Sequence, residues 1–483
     1  MSTKYKMTTE IPEGITIPDQ VETSIGVLEF FDGFPSKQTV KKAYDFLELQ
    51  RGVSVFLEEM RAASSLALRE GLRKLGVKKA NQVAVFEVLM DSKALWLTAN
   101  SETVYGSTFL DLKTDGPTVI ESPPRVLGIL DDMWMRYVGD TGNAGPDRGQ
   151  GGKYLVLPPG YEGDVPEGYH ICKSLTFGVW FIIRGFLIDG DPGPAVDNFK
   201  QGLRIYPLAK ADTPPEMEFI NVSGIPNSTI HSNDFHFFEE MNTLIQEEHD
   251  EALSIEARGQ LALLGIIKGE PFKPDQRMKN ILNEAALIGA AIARSLSWAS
   301  RDDKVYFYPD DDRTWFNPLS VGNHTFQVDN WMHHDARSMF HYNATGITPA
   351  MAIAMPGVGS QYAAASCDAD GEWLDGSHTY KLTLPPNPPA KDFWSVVVYD
   401  SQTRSMLQTD QQFPSVNNQA GGALENTDGS TDVFFGPEPP EGQENNWAQT
   451  IPGKGFWIIL RLYAPLEPWF DKTWRPGKIV RID

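Results

Sequence analysis

Short apolar runs and alternating apolar and polar positions follow one another along much of the chain, separated by turn-forming residues. Both patterns are typical of β-strands. The run at 393–399 is continuously apolar apart from one serine, as expected of a strand buried on both faces. The pattern predicts strands at residues 83–90, 95–112 (broken by a polar bend), 118–121, 154–157, 169–172 and 179–187, and later at 380–384, 393–399, 431–435 and 456–463.

Helical spacing of apolar residues is confined to two parts of the chain. Ser36 precedes the first stripe as an N-cap, and Gly52 interrupts that stripe, which can continue over 53–60. A second short helix is expected over 64–75 and ends at Gly76. Residues 234–300 form the second helical part, in which Asp275 is an N-cap candidate. Both parts are predicted to be packing elements rather than sites of chemistry.

These patterns together predict an α+β fold that is mainly β, divided into four parts. Gly, Pro and Asn clusters between the later strands favour a β-sandwich with a jelly-roll-like arrangement. The predicted parts are an N-terminal arm with helices (1–76), an N-terminal β-rich domain (77–233), a helical linking segment (234–302) and a C-terminal β-sandwich domain (303–483).

Composition and charge narrow the classes of partner. The chain has 483 residues and a formal net charge of −22, which argues against binding of nucleic acid or of an anionic membrane surface. Acidity of this size favours a soluble protein. Cys172 and Cys367 are expected to be reduced thiols, and without a signal-peptide core at the start of this sequence we expect a cytoplasmic location. The sequence predicts no cofactor, while a homo-oligomer is left open.

The polar bend within 95–112 raises the first question of chemistry. Asn100, Ser101, Glu102 and Thr103 are consecutive, and Tyr105 follows. A turn needs only an Asn or a Ser to cap its own backbone. Glu102 and Tyr105 therefore exceed what a turn requires. The stretch is interpreted either as an ordinary polar hairpin or as a ligand-facing cluster.

A small group of histidines offers a second candidate. If residues 333–341 are helical, His334, Arg337 and His341 share one face, with His333 beside them. A metal site using these histidines is one hypothesis, although the charge of Arg337 would repel a cation. A polar face that lines an interface or an anionic pocket is the favoured interpretation.

Two further stretches carry candidate ligand groups. Gly357 and Gly359 would let the backbone approach a ligand closely, so that Gln361 and Tyr362 could donate hydrogen bonds to it. Arg404 could clamp a carboxylate through two hydrogen bonds, or it could pin a neighbouring loop.

Several motifs in a fixed order resemble a known bacterial family. They are residues 97–105, Leu110-Asp111-Leu112 with Gly116-Pro117, Phe393-Trp394-Ser395 with Tyr399-Asp400, and Asn446-Trp447 with Arg461-Leu462-Tyr463. In this order they resemble proteins that pair domain of unknown function 1254 with domain of unknown function 1214, over nearly the whole chain. The resemblance implies an N-terminal β-rich domain, a helical linking region and a C-terminal jelly-roll-like sandwich. It implies no agreed activity and no catalytic residue, and many relatives look exported.

The preferred interpretation is a two-domain protein that binds a small polar or amphipathic organic molecule in a cleft between its β domains. Acid–base chemistry on that molecule would use Glu102 as general base and Tyr105 or Tyr362 as proton donor. The alternatives are a non-catalytic binding or assembly module that contacts glycan or protein, and a metal-dependent enzyme using His333, His334 or His341. The predicted cleft residues are Asn100, Glu102, Tyr105, Arg337, Gln361, Tyr362 and Arg404.

Overall fold

The structure is a computed structural model that describes residues 5–309, 312–353, 355–419 and 421–483. Residues 1–4, which begin the predicted arm, lie outside this description. A long helix follows the arm, and its first turn is capped by the Ser36 side chain, which accepts a hydrogen bond from the Thr39 amide. The elements of this part are β1 (Gln20–Thr23), β2 (Gly26–Phe31), β3 (Phe34–Pro35) and α1 (Lys37–Lys74).

The prediction of a second, separate helix over 64–75 is wrong, because α1 runs without a break from Lys37 to Lys74 and passes through Gly52. A Cβ atom at Gly52 would lie 2.6 Å from the Cβ atom of Ala285, on a later helix. Gly52 therefore allows two helix backbones to approach closely. The packing that Gly52 permits stabilises the helix pair by more than the modest free-energy cost of one glycine within a helix.

The following β-rich part contains one six-stranded and one four-stranded sheet. Their strand orders are β14-β4-β6-β12-β8-β9 and β11-β10-β7-β13. The elements are β4 (Gln82–Val85), β5 (Ala94–Leu95), β6 (Thr103–Asp111), α2 (Leu112–Asp115), β7 (Thr118–Ser122), β8 (Val126–Asp132), β9 (Tyr137–Gly142), β10 (Gly152–Leu157), β11 (His170–Lys173), β12 (Gly178–Phe186), α3 (Gly193–Gly202), β13 (Arg204–Pro207), β14 (Glu218–Asn221) and β15 (Asn227–Ser228).

The expected hairpin across 95–112 is also wrong. β5 pairs in parallel with β15, whereas β6 pairs with β4 and β12. The polar residues between β5 and β6 are thus not a solvent-exposed turn. Asn100, Ser101 and Glu102 are all buried.

A helical layer packs against α1. It consists of α4 (His236–Glu247), α5 (Ile255–Ala262) and α6 (Gln276–Trp298). The Asp275 side chain accepts a hydrogen bond from the Met278 amide, so it is an N-cap. Phe56 of α1 and Leu282 of α6 belong to the core that these helices share.

The C-terminal part again contains one six-stranded and one four-stranded sheet. Their orders are β16-β17-β20-β26-β22-β23 and β25-β24-β21-β27. The elements are β16 (Tyr306–Tyr308), β17 (Asp312–Phe316), β18 (Gln327–Val328), β19 (Trp331–Met332), α7 (His334–Asn343), α8 (Pro349–Ala352), β20 (Ser360–Ala365), β21 (Tyr380–Leu384), β22 (Ala390–Asp400), β23 (Ser415–Asn417), β24 (Thr431–Gly436), β25 (Trp447–Gln449), β26 (Phe456–Pro465), α9 (Glu467–Phe470) and β27 (Ile479–Arg481).

The two six-stranded sheets face each other across one shared core. Alternate residues of a strand point to opposite faces, so each sheet contributes one face to this core and the other to its own half. Ile182 of β12 and Ile459 of β26 lie in the shared core. Ile183 and Ile458, one position away, lie in two separate cores.

This architecture confirms the prediction of an α+β fold with substantial β structure. The jelly-roll connectivity of the C-terminal sandwich stays a prediction. Across the part of the chain that the structure describes, no helix combines the length and the apolar character needed to cross a membrane.

Candidate functional site

A cavity of about 90 Å³ lies between the two six-stranded sheets. One water molecule needs roughly 10–15 Å³ of such space, so the cavity can hold a small organic group. Its walls are largely aromatic and apolar, as is usual for sites that bind small molecules. The aromatic wall consists of Trp96, Trp180, Phe316, Phe340 and Trp457.

The two sheets line the cavity with the same short pattern. On each sheet a tryptophan, an isoleucine and an arginine occupy alternate positions of one strand and so point to the same side. The first set is Trp180, Ile182 and Arg184 of β12, and the second is Trp457, Ile459 and Arg461 of β26. Two cations thus enter one largely apolar space, one from each half of the molecule.

A tyrosine stands opposite each arginine on the neighbouring strand. Tyr105 of β6 pairs with Arg184, and Tyr362 of β20 pairs with Arg461. Both tyrosines line the cavity. The polar end of the cavity therefore combines two guanidinium groups with two phenols.

Arg461 is held firmly by its neighbours. Its Nη2 atom donates hydrogen bonds to the Thr98 carbonyl oxygen and to the Tyr399 hydroxyl, the latter at 2.6 Å. Its guanidinium carbon lies 5.3 Å from the centre of the Tyr362 ring. Thr98 has φ +46°, which is a strained conformation for a β-branched residue. The contact with Arg461 helps to hold this strained loop in place.

Arg184 is held differently, because its charge is attracted by Asp140 but its donors are not used in hydrogen bonds to the described residues. The residue is 8% exposed. Among the described residues, its guanidinium group makes no hydrogen bond and lies in no salt bridge, although it interacts electrostatically with Tyr105 and Tyr362 and is repelled by Arg461. A buried guanidinium group whose donors are not used in hydrogen bonds is unfavourable. Within the described residues, Arg184 therefore has donors that a bound anion could use.

Three spaces meet at Arg184. The first is the cavity between the sheets. The second is an outer cleft of about 280 Å³ that includes Lys391 and Tyr463. The third is a gap of about 10 Å³ that Arg184 shares with Asp140 and Thr348. A molecule bound at Arg184 would thus have room in three directions.

Burial raises the pKa of Asp140 to about 7, while hydrogen bonds from Tyr137 and the charge of Arg184 oppose the rise. This carboxyl group is 5% exposed. Burial also raises the pKa of Glu248, outside the site, to about 7. Both groups therefore titrate near neutrality in the folded protein.

These two carboxyl groups predict how stability depends on pH. In an unfolded chain their pKa lies near 4, so the folded protein binds each proton more tightly. The resulting stability is complete below about pH 4 and is lost as the pH rises through about 7. We expect the free energy of unfolding in urea to fall between about pH 5 and about pH 8, and to fall less in Asp140→Asn. A rise over this range would contradict the assignment.

The structure brings four of the seven predicted site residues together. Tyr105 and Tyr362 line the cavity. Asn100 Nδ2 donates to the Tyr105 hydroxyl at 2.8 Å and so fixes its position. Glu102 is attracted by Arg461 and accepts hydrogen bonds from Ser101 and Ser415, but it does not line the cavity. Burial raises the pKa of Glu102.

The other three predicted residues lie elsewhere. Gln361 points to the opposite face of β20 from Tyr362, because side chains alternate along a strand. Arg337 donates to Glu58 of α1 at 2.7 Å. Arg404 lies 4.1 Å from the centre of the Tyr342 ring and donates to the Tyr342 carbonyl oxygen. Its place fits the alternative interpretation, in which it pins a neighbouring loop.

The histidines of the metal hypothesis have separate surroundings. His333 Nδ1 accepts the Ala336 amide at the start of α7. His334 lies 2.7 Å from Glu58. His341 is buried beside Arg61 and Arg337, and burial lowers its pKa. Within the described ranges, no three His, Cys, Asp or Glu side chains are arranged to hold a metal ion.

Arg184 and Arg461 line the cavity but were not among the predicted site residues, because the prediction started from clusters of polar residues. A signal for them was present, since each is a lone cation inside a buried apolar strand and follows a tryptophan by four positions. A charge in such a run has to be partnered or functional. Their meeting across the interface required the tertiary structure.

The chain matches two family models. Residues 80–207 match "Protein of unknown function (DUF1254)", and residues 359–467 match "Protein of unknown function (DUF1214)". The chain therefore contains a match to each of the two domains, in the order that the resemblance implied. The predicted resemblance is thereby confirmed. The DUF1254 region supplies Tyr105 and Arg184, and the DUF1214 region supplies Tyr362 and Arg461, so the cavity lies between the two.

The chain is similar to two solved structures. The crystal structure of the VPA0106 protein from Vibrio parahaemolyticus has a TM-score of 0.55 and 15% identity, covering 90% of this chain and 100% of that chain. A putative uncharacterised protein from Burkholderia cenocepacia has a TM-score of 0.40 and 12% identity, covering 91% of this chain and 96% of that chain. The first likeness, at low identity, shows the fold alone. No curated protein matches the chain.

Proposed function

We propose that the DUF1254–DUF1214 chain binds a small organic anion with an apolar, largely aromatic body in the cavity between its two large sheets. The anionic group would lie at Arg184, and the body would lie among Trp96, Trp180 and Trp457. This ligand is a more specific form of the amphipathic molecule expected from the sequence.

The observation that carries the proposal is the buried guanidinium group of Arg184, which lines the cavity and makes no hydrogen bond or salt bridge among the described residues. A guanidinium group can bind a carboxylate through two parallel hydrogen bonds, which are among the strongest in proteins. A bound anion would supply the missing hydrogen-bond acceptor. It would also reduce the repulsion between Arg184 and Arg461.

The rest of the lining supports a ligand with an apolar body. An anion without such a body, for example phosphate, would leave the aromatic wall without a contact. An aromatic or branched aliphatic carboxylate satisfies both ends, because burial of its apolar surface stabilises the complex by roughly 25 cal/mol per Å² before the costs of association.

Titration calorimetry with matched ligands tests the proposal. We expect 3-phenylpropanoate and 4-methylpentanoate to bind and to raise the melting temperature. We expect acetate, which lacks the body, and 3-phenylpropanamide, which lacks the charge, to bind at least about tenfold more weakly, as the loss of one charged hydrogen bond implies. Equal binding of the neutral amide would overturn the proposal.

Tyr362→Phe gives a second test. Among the described residues, no hydrogen bond involves the Tyr362 hydroxyl, and the residue lines the cavity. Its removal should change the stability of the free protein by less than about 0.5 kcal/mol and weaken binding of 3-phenylpropanoate about five- to tenfold.

Tyr206→Phe is the matched control for this substitution. Its hydroxyl donates to Glu121 at 2.7 Å, and Tyr206 lies outside the cavity. We expect this control to lower stability slightly and to leave the affinity for 3-phenylpropanoate unchanged. If both variants bind as the unmodified protein does, the Tyr362 hydroxyl has no part in recognition.

Acid–base conversion of the bound molecule stays a prediction. Glu102→Gln tests the role expected for Glu102, and an unchanged affinity or turnover would count against it. The binding or assembly module and the metal-dependent enzyme also stay hypotheses. Elemental analysis of the purified protein tests the latter, and native mass spectrometry can identify a retained small molecule.

A further inference from the structure

The small gap beside Arg184 has a definite size and chemistry. Its volume of about 10 Å³ is close to that of one water-sized probe, so it suits a single hydroxyl or amino group. Arg184 and Tyr362 line both this gap and the aromatic cavity. A group in the gap would therefore be adjacent to an anionic group held by Arg184.

Asp140 gives the gap its polarity. Its carboxyl group interacts with the side chains of Tyr137 and Thr348. Among the described residues, its buried Oδ1 atom has no hydrogen-bond partner. A buried acceptor without a donor is unfavourable, so a donor placed in the gap would be stabilised.

The geometry points to a carboxylic acid that carries a hydroxyl or amino group on its α-carbon as the ligand, with Asp140 accepting a hydrogen bond from that group. This inference rests on the proposed function and defines its ligand class. Three substituents on one carbon match the three requirements of the site. The carboxylate pairs with Arg184, the donor enters the gap at Asp140, and the apolar side chain enters the aromatic cavity.

Both kinds of donor fit this arrangement. A hydroxyl group is uncharged and needs only an acceptor oxygen. An ammonium group would in addition be attracted to the ionised form of Asp140. Other charged groups also face the carboxyl group: Arg184 from β12 and, on the adjoining strand, Asp131, whose pKa burial raises. Both classes of ligand therefore have a hydrogen-bond donor on the carbon next to their own carboxylate.

The experiment compares three ligands of nearly equal size by calorimetry at about pH 7. They are 3-phenylpropanoate, 3-phenyllactate and L-phenylalanine. We expect at least one of the latter two to bind about tenfold more tightly than 3-phenylpropanoate, as expected for one buried hydrogen bond. The enantiomers of the tighter ligand should differ, because exchanging two substituents moves the donor away from the gap.

Two variants of Asp140 show whether the tighter binding of the α-substituted acids comes from a hydrogen bond or from charge attraction. Asp140→Ala removes the acceptor, so in this variant the two α-substituted acids should bind no more tightly than 3-phenylpropanoate does. Asp140→Asn keeps the shape and an acceptor oxygen, so it should preserve the gain of a hydroxyl and reduce that of an ammonium group, which loses the charge attraction. Asp91→Ala is the matched control, a carboxylate 4% exposed that lies outside the cavity.

The outcomes distinguish this inference from the proposed function. If 3-phenylpropanoate binds but the α-substituted acids bind no more tightly, or if their gain survives in Asp140→Ala, the inference is wrong and the proposed function stands. If none of the three binds, the proposed function is wrong, and the inference falls with it.

Discussion

Replacing Arg184 with methionine is expected to stabilise the free protein and to remove its affinity for organic anions. Methionine fills the space with apolar atoms and removes a guanidinium group that makes no hydrogen bond or salt bridge among the described residues, but it also removes the attraction to Asp140. Apolar replacement of buried ionic groups stabilises folded proteins by about 1–4 kcal/mol, and we expect a gain of about 1 kcal/mol because the attraction to Asp140 is lost. Loss of a bidentate charged hydrogen bond should weaken 3-phenylpropanoate binding by about 100-fold.

The contrast with Arg69→Met makes this result specific. Arg69 is also 8% exposed, but it donates to Glu247 at 2.5 Å and lies outside the cavity. Its replacement should lower the free energy of unfolding and leave the affinity unchanged. Chemical unfolding and calorimetry measure both quantities. If Arg184→Met lowered stability and kept binding, Arg184 would be a structural residue.

The opposite signs expected for stability and binding reflect a common property of binding sites. A group that is preorganised for a ligand is often unfavourable in the free protein. Arg461 is less unfavourable, because Thr98 and Tyr399 already satisfy part of its guanidinium group. The two arginines share a sequence pattern but differ in what surrounds them.

Much of the fold was predictable because burial leaves a local pattern. The predicted strands at 118–121 and 154–157 lie within β7 and β10, and the capping residues Ser36 and Asp275 begin α1 and α6. Alternation and capping depend on the nearest residues along the chain, so they can be recognised without the tertiary structure.

The pairing of strands was not predictable in the same way. Alternation marks residues 95 and 103 as strand positions but does not identify their partners. β5 pairs with β15, more than 130 residues away along the chain. The bend between β5 and β6 is consequently buried under the C-terminal half, and the Tyr399 hydroxyl donates to the Ala99 carbonyl oxygen at 2.6 Å.

The candidate site was partly predictable for the same reason. Asn100, Glu102 and Tyr105 were predicted as site residues because the bend contains more polar side chains than a turn requires. They lie at the polar end of the cavity or directly behind it. Arg404 belongs to an equally polar stretch, yet the Tyr342 ring holds it away from the cavity. The sequence shows which stretches contain more polar side chains than a turn requires. It does not show which of these side chains lie close together in the folded protein.

Replacing Arg461 with methionine is expected to have the opposite effect on stability to that of Arg184→Met. The substitution leaves the Thr98 carbonyl oxygen without its donor and leaves Glu102 buried without the nearby positive charge. Breaking a buried charge interaction by removing one partner costs about 3–5 kcal/mol, and we expect a loss of about 4 kcal/mol in the free energy of unfolding.

The double variant Arg461→Met, Glu102→Gln separates the contributions to this loss. Glutamine cannot ionise, so the double variant should be more stable than Arg461→Met alone, by about 1–2 kcal/mol. Urea unfolding of the four proteins in the cycle measures this coupling. A coupling near zero would mean that Arg461 acts through Thr98 and Tyr399 rather than through Glu102. A stability gain in Arg461→Met would show that Arg461, like Arg184, lacks an adequate partner in the free protein, and would make both arginines ligand-binding groups.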